Sequence, residues 1–137
     1  MTEVPAQSTR ARSIFQTAGA LAVAVLSALT WFGWLGWDHE YQADGSGPYQ
    51  AWQVAGCVLT LIVIMFGAVQ LGVLPLSAAA AMTLAFTAAF SVTASEDETG
   101  LWAVGALMIF ISLASASVLV GFLSLHLRHR RLRGRRR

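Results

Sequence analysis

The chain has 137 residues, of which 56% are hydrophobic and only 12% are charged, and its mean hydropathy is +0.62. Soluble domains carry about 25% charged residues, so a soluble globule, a disulfide-rich secreted scaffold and a disordered tail are excluded. Segments 13–37, 45–95 and 99–127 contain no Asp, Glu, Lys or Arg. Because a membrane-spanning helix needs about 20 apolar residues, the sequence predicts an integral membrane protein.

The first apolar segment predicts a helix over residues 14–37, preceded by an N-terminal tail over residues 1–12. A secretory signal peptide also begins with basic residues, but its apolar part spans about 7–15 residues before a small-residue cleavage site. The run here is longer and ends in three tryptophans. These features favour an uncleaved first helix.

Three further helices are predicted, and Pro75 divides the longest charge-free segment between two of them. The predicted fold is all-α, a polytopic membrane protein with four transmembrane helices in an up-down antiparallel bundle over residues 13–126. Its spans cover about residues 14–37, 49–71, 76–94 and 101–125. Because the connection at Pro75 is short and apolar, we expect the second and third helices to form a tight hairpin.

The distribution of charge predicts the orientation. All nine basic residues are Arg, two before the first helix and seven in the Arg-rich tail over residues 127–137. The loops after the first and third helices hold six of the seven acidic residues and no basic one. By the positive-inside rule, both termini are therefore expected in the cytoplasm of a bacterial cell, with the bundle in its inner membrane.

No ionisable side chain is predicted at mid-depth in the membrane, where such groups usually mark function. We therefore assign no catalytic, cofactor-binding or metal-binding residue, and we expect a protein that is not an enzyme. The acids of segment 38–44 and of segment 96–98 offer oxygen ligands for a divalent cation at the outer surface. Solvation of the outer loops by these acids is the favoured interpretation.

Polar and small residues recur along the helices. Thr83, Thr87 and Ser91 form a stripe on the third helix, and the fourth carries Ser112, Ser115 and Ser117. Such a stripe lines a polar path or, more often, bonds within and between helices. Small residues four apart favour close packing inside the bundle or self-association. These pairs are Ala18/Ala22, Ala20/Ala24, Ala24/Ala28 and Ser117/Gly121.

Two sets of residues are predicted to contact the membrane surface. Tryptophans at a membrane–water boundary act as anchors. The predicted interfacial anchors are Trp31, Trp34, Trp37, Trp52 and Trp102. Arginines beside an anionic leaflet bind lipid headgroups. The predicted anionic-lipid contacts are Arg128, Arg130, Arg131, Arg133, Arg135, Arg136 and Arg137. A nucleic-acid partner is not expected, since no folded recognition module accompanies the arginines. The single cysteine, Cys57, is expected to be a small buried apolar residue.

Residues 44–57, DGSGPYQAWQVAGC, resemble the loop–helix junction of small four-span integral membrane proteins of GC-rich bacteria. The acids of segment 96–98 before Gly100, Leu101 and Trp102 are similar too. The use of Arg without Lys fits such a genome. The resemblance implies a four-span fold and a membrane location, and no activity.

The leading functional hypothesis is a small non-enzymatic multi-pass membrane protein that packs against or regulates a membrane partner, or associates with a second copy. The alternative is a small channel, a transporter component or a holin-like pore. A membrane enzyme acting on lipids is the third and least favoured hypothesis, because the outer acids have no catalytic partner.

Overall fold

The computed structural model describes residues 4–37, 43, 49–96 and 100–134. Over these residues it is all-helical, with four helices arranged as an up-down bundle. They are α1 (Val4–Trp34), α2 (Ala51–Leu71), α3 (Pro75–Ala94) and α4 (Trp102–Gly134). Each is long and apolar enough to cross a membrane, by length and composition. The predicted four-span, all-α fold is confirmed.

Two helices extend beyond the predicted spans. α1 already begins at Val4, within the segment predicted as a tail, and α4 continues to Gly134 through most of the Arg-rich segment. Neither extension contains an internal glycine, and Arg, Leu and Gln are good helix formers, so polarity alone does not end these helices. Residues 135–137 lie outside the described part of the chain.

The helices are not packed in the order in which they follow each other along the chain. α3 makes the most extensive contacts, with α1 on one side and α4 on the other, while α2 touches α1 and α4 less extensively. Within the described residues, no Cα atom of α1 lies within 8 Å of a Cα atom of α4. The order around the bundle is therefore α1, α3, α4, α2, with α2 and α3 facing each other across a diagonal.

This arrangement corrects the expectation of a tight α2–α3 hairpin. α2 and α3 are joined by a short connection, but they make the least extensive contact of all the touching pairs. α3 is rich in alanine, and small side chains allow helix backbones to approach closely. α3 consequently packs against α1 and α4 rather than mainly against its neighbour in sequence.

Gly72 ends α2 and turns the chain across the bundle. Its φ of 109° lies in the left-handed region, which favours glycine. Its N–H donates to the carbonyl of Val69 at 3.1 Å, and the N–H of Val73 donates to the carbonyl of Ala68 at 3.0 Å. This pair of hydrogen bonds is a Schellman motif, and it satisfies carbonyls that the helix end would otherwise leave without partners.

Gln16 of α1 holds the α2–α3 connection in place. Its side-chain amide donates to the Gly72 carbonyl at 2.9 Å and accepts a hydrogen bond from the Leu74 N–H, also at 2.9 Å. Nearby, the Gln70 side chain donates to the Ser124 carbonyl of α4 at 3.1 Å. We call the end of the bundle around these five residues the arginine end, because the arginines of α4 follow Ser124, and the opposite end the tryptophan end.

Candidate functional site

Trp31 is the centre of the tryptophan end. Its side chain is only 2% exposed, and its indole N–H donates to Thr93 Oγ1 of α3 at 3.0 Å. Three rings meet it edge to face: Phe90 at 5.2 Å, Phe86 at 5.5 Å and Tyr49 at 5.9 Å between ring centres. Edge-to-face pairs of this kind are a favourable aromatic geometry. This Trp31 cluster joins α1, α3 and the residues before α2.

Trp34 connects α1 to α2. Its indole N–H donates to Thr60 Oγ1 at 3.1 Å, and its ring meets Trp52 at 6.2 Å between centres. The ring also covers Gly56 so closely that a Cβ atom built there would lie 2.5 Å from two ring carbons. Gly56 therefore provides the space that the indole occupies.

An apolar cavity of about 480 Å³ lies among the helices beside the Trp31 cluster. On α2 it is lined by Cys57, Leu61 and Met65, all of them buried, and on α4 by Leu113 and Val120. As predicted, Cys57 is a buried residue. A volume of this size falls within the range of about 300–1,000 Å³ that is typical of small-molecule sites.

The cavity opens sideways between α2 and α4. Val54, Val58 and Ile62 of α2 line it, and yet they are 44%, 49% and 41% exposed at the surface of the bundle. Ser112 and Ala116 of α4 also line the cavity and are exposed. The opening is therefore at the side of the bundle, along the half of α2 that is nearer the tryptophan end.

Toward the arginine end the cavity is closed by close packing. A Cβ atom at Gly121 of α4 would lie 2.7 Å from Met65 Cε and 3.0 Å from Pro75 Cβ. Ser117 donates a hydrogen bond to Met82 Sδ at 3.4 Å, which joins α4 to α3 beside the same place. Ser117 and Gly121 thus serve packing within the bundle, as predicted. Methionine side chains adapt to irregular shapes, so this closed end is deformable.

The predicted polar stripe of α3 does not form a continuous hydrogen-bonded path. Ser91 donates to the Thr87 carbonyl at 2.8 Å, within its own helix. The hydroxyl oxygens of Thr83 and Thr87 are buried and have no hydrogen-bond partner in the described part of the chain. On α4, Ser115 likewise donates to the Ile111 carbonyl at 2.8 Å.

The five tryptophans differ in exposure. Trp37 and Trp52 are 61% and 58% exposed, and Trp34 and Trp102 are half-buried. For these four residues the interfacial anchor role stays a prediction. Trp31 differs from the expectation, because its ring is enclosed by other aromatic rings and its N–H already has a partner inside the bundle. Its place is in the core.

Four of the seven predicted lipid-binding arginines lie on the last turns of α4. Arg128 is half-buried, and its guanidinium lies 3.6 Å from the Cβ position of Gly72. Arg130, Arg131 and Arg133 are exposed on the helix. The predicted contacts Arg135, Arg136 and Arg137 lie outside the described residues. The same is true of five acids of the considered cation site, Asp38, Glu40, Asp44, Asp97 and Glu98.

Four helices able to span a membrane define a multi-pass membrane protein. No family model, curated protein or solved structure matches this chain.

Proposed function

We propose that this chain is a small, non-enzymatic, multi-pass protein of the bacterial cell membrane that binds an apolar molecule between α2 and α4 and packs against or regulates a membrane partner. The lateral cavity carries this proposal. It has the volume of a ligand site, its walls are apolar, and it opens toward the medium that surrounds the spans.

Packing against a partner is supported by the lipid-facing side of α1. Ala18 and Ala22 lie one turn apart and are both exposed. Because lipid provides no hydrophobic drive for helix association, small residues favour close contact with another helix. The partner is a membrane protein or a second copy of this chain.

We place both termini in the cytoplasm and the arginines of α4 against anionic headgroups. The charge asymmetry of the sequence supports this orientation, since all nine basic residues flank the first and last helices. Cytoplasm-active reporters fused after Ser8 and after Arg137 should be active, and one inserted at Ala43 should be inactive. An active reporter at Ala43 would contradict this orientation and favour the opposite one.

The alternative, a channel, transporter component or holin-like pore, requires a polar path through the membrane. The hydroxyls of Ser91, Ser115 and Ser124 donate to carbonyls of their own helix and so do not contribute to such a path, which makes this alternative less favoured. Induced expression tests it directly. A holin-like pore permeabilises the inner membrane abruptly, whereas the function proposed here leaves the membrane intact.

The binding of an apolar molecule is tested by filling the opening. Ala116→Phe places a ring between α2 and α4, while Leu119→Phe adds one at a 71% exposed position of the same helix that does not line the cavity. The detergent-solubilised protein is titrated with an apolar fluorescent probe. We expect saturable binding by the native protein and by Leu119→Phe, and strongly weakened binding by Ala116→Phe. Equal binding by all three proteins would refute the site.

A further inference from the structure

We propose that the cavity holds one acyl chain of a membrane phospholipid, which enters sideways between α2 and α4 from the leaflet at the tryptophan end. This inference rests on the proposed function of the cavity as an apolar binding site, and it adds the class of ligand and its route of entry.

The position of the opening determines what reaches it. Val54, Val58 and Ile62 lie in the first half of α2, inside a helix long and apolar enough to span a membrane. The bilayer interior beside such residues consists of acyl chains rather than water. A ligand that enters here therefore comes from the hydrocarbon phase.

The length of the cavity fits a chain from one leaflet. Its lining runs from Val54 to Met65 on α2 and from Ile109 to Val120 on α4. At 1.5 Å per residue, each run corresponds to about 17 Å of helix. One leaflet contributes half of a hydrocarbon core of about 30 Å, so the cavity extends over about one leaflet. Its long axis follows the helices, as an acyl chain in a bilayer does.

The two ends of the cavity differ in polarity. Beyond the tryptophan end of the cavity, the exposed Trp52 indole N–H donates to Gln50 Oε1 at 2.7 Å. Polar groups therefore lie where the acyl chain of a bound lipid would join its headgroup. The opposite end is closed by Met65 and Met82, and the Ser117 hydroxyl beside them already donates to Met82 Sδ. This difference suits one acyl chain of a lipid whose headgroup stays at the tryptophan end.

Trp31 is a built-in reporter of the occupant. It lines the cavity, and because it is only 2% exposed, lipids that merely surround the bundle do not contact its ring. Phospholipids with brominated acyl chains quench tryptophan emission at short range. The emission of Trp31 is obtained by subtracting the emission of Trp31→Phe from that of the native protein. In bilayers of brominated phosphatidylcholine, we expect this Trp31 emission to be largely quenched. Ala116→Phe should restore it, and Leu119→Phe should not.

A second measurement uses the native chain without substitutions. A phosphatidylcholine carrying a diazirine in its acyl chain is photolysed in the reconstituted protein, and the adducts are located by mass spectrometry. We expect adducts at Cys57, Leu61 and Met65, which line the cavity and are buried. These adducts should be lost in Ala116→Phe and retained in Leu119→Phe.

The outcomes separate this inference from the proposed function. If the apolar probe binds but the brominated lipid quenches Trp31 equally with and without Ala116→Phe, the acyl chain is overturned while the apolar site stands. If neither the probe nor the lipid reaches the cavity, both fail. A photoreactive residue placed at position 58 would test for a protein in the opening. Crosslinks to another protein or to a second copy would show that a helix occupies the opening, and they would also overturn the acyl chain.

Discussion

Adding one methyl group at Gly56 should destabilise the bundle, although alanine is normally the better helix residue. The new Cβ would lie 2.5 Å from two carbons of the rigid Trp34 ring, so the ring must move. Overpacking of this kind costs about 1–3 kcal/mol. Displacing the ring also breaks its hydrogen bond to Thr60, a loss of about 0.5–1.5 kcal/mol. The higher helix propensity of alanine offsets about 1 kcal/mol of this cost, so the net destabilisation is about 0.5–3.5 kcal/mol.

Gly67 provides the matched control on the same helix. A Cβ atom there meets no atom of the described residues within 4 Å, so Gly67→Ala should stabilise the protein by up to about 1 kcal/mol. The two single-methyl variants should therefore differ by about 1.5–4.5 kcal/mol in their free energy of unfolding. Equilibrium unfolding with a denaturing detergent in mixed micelles, followed by circular dichroism, measures this difference.

The cause is tested by removing the ring. In a Trp34→Ala background, the methyl group at Gly56 has no indole to displace, so its effect should become equal to that of Gly67→Ala. A double-mutant cycle isolates this coupling. An equal cost of Gly56→Ala with and without the indole would exclude the Trp34 ring as the cause.

Three further predictions concern hydrogen bonds and charge. Gln16→Leu should lower the free energy of unfolding by about 1–3 kcal/mol, because the Gly72 carbonyl and the Leu74 N–H lose their partner. Thermal unfolding should show no comparable destabilisation for Gln7→Leu, at an exposed position of the same helix. Thr83→Val should stabilise the bundle by about 1 kcal/mol, because it removes a buried hydroxyl that has no partner among the described residues. Thr60→Val should destabilise the bundle, because the Trp34 indole loses its acceptor. A change of the same sign in the free energy of unfolding for both variants would contradict these roles of the two hydroxyls. A peptide of residues 126–137 should bind anionic vesicles and leave them as salt increases, since each arginine near the surface contributes about 1 kcal/mol; equal binding to neutral vesicles would leave no electrostatic role.

The four spans could be predicted because hydrocarbon sets a minimum length and excludes charge. The helical extensions could not, because the arginines of α4 are compatible with helix and with a solvated tail alike. Their state depends on the helix that precedes them, which supplies the nucleus from which further turns propagate.

The cavity escaped prediction for a reason specific to membranes. In water, apolar residues such as Cys57 and Met65 would indicate a core, and Val63 on the same helix would be polar. Here Val63 is 69% exposed and equally apolar, because lipid accepts it as readily as the protein interior does. A pattern of apolar side chains therefore does not distinguish the inner face of α2 from its outer face.

Trp31 could not be separated from the other tryptophans for a related reason. Its interior position depends on Thr93, which follows 62 residues later and belongs to a helix that is not its neighbour in sequence. The order of the helices around the bundle was equally hidden, because the small residues of α3 allow close packing against any partner.

The bond between Trp31 and Thr93 has a consequence for synthesis of the chain. Translation proceeds from the N-terminus, so α1 enters the membrane two helices before the hydroxyl that its indole will bind. During that interval the N–H group finds partners only at the water boundary, where amphipathic rings are stable. We expect the arrival of α3 to withdraw the ring from this boundary. Trp31 would then be an interfacial residue of the nascent chain, and it is a core residue of the finished one.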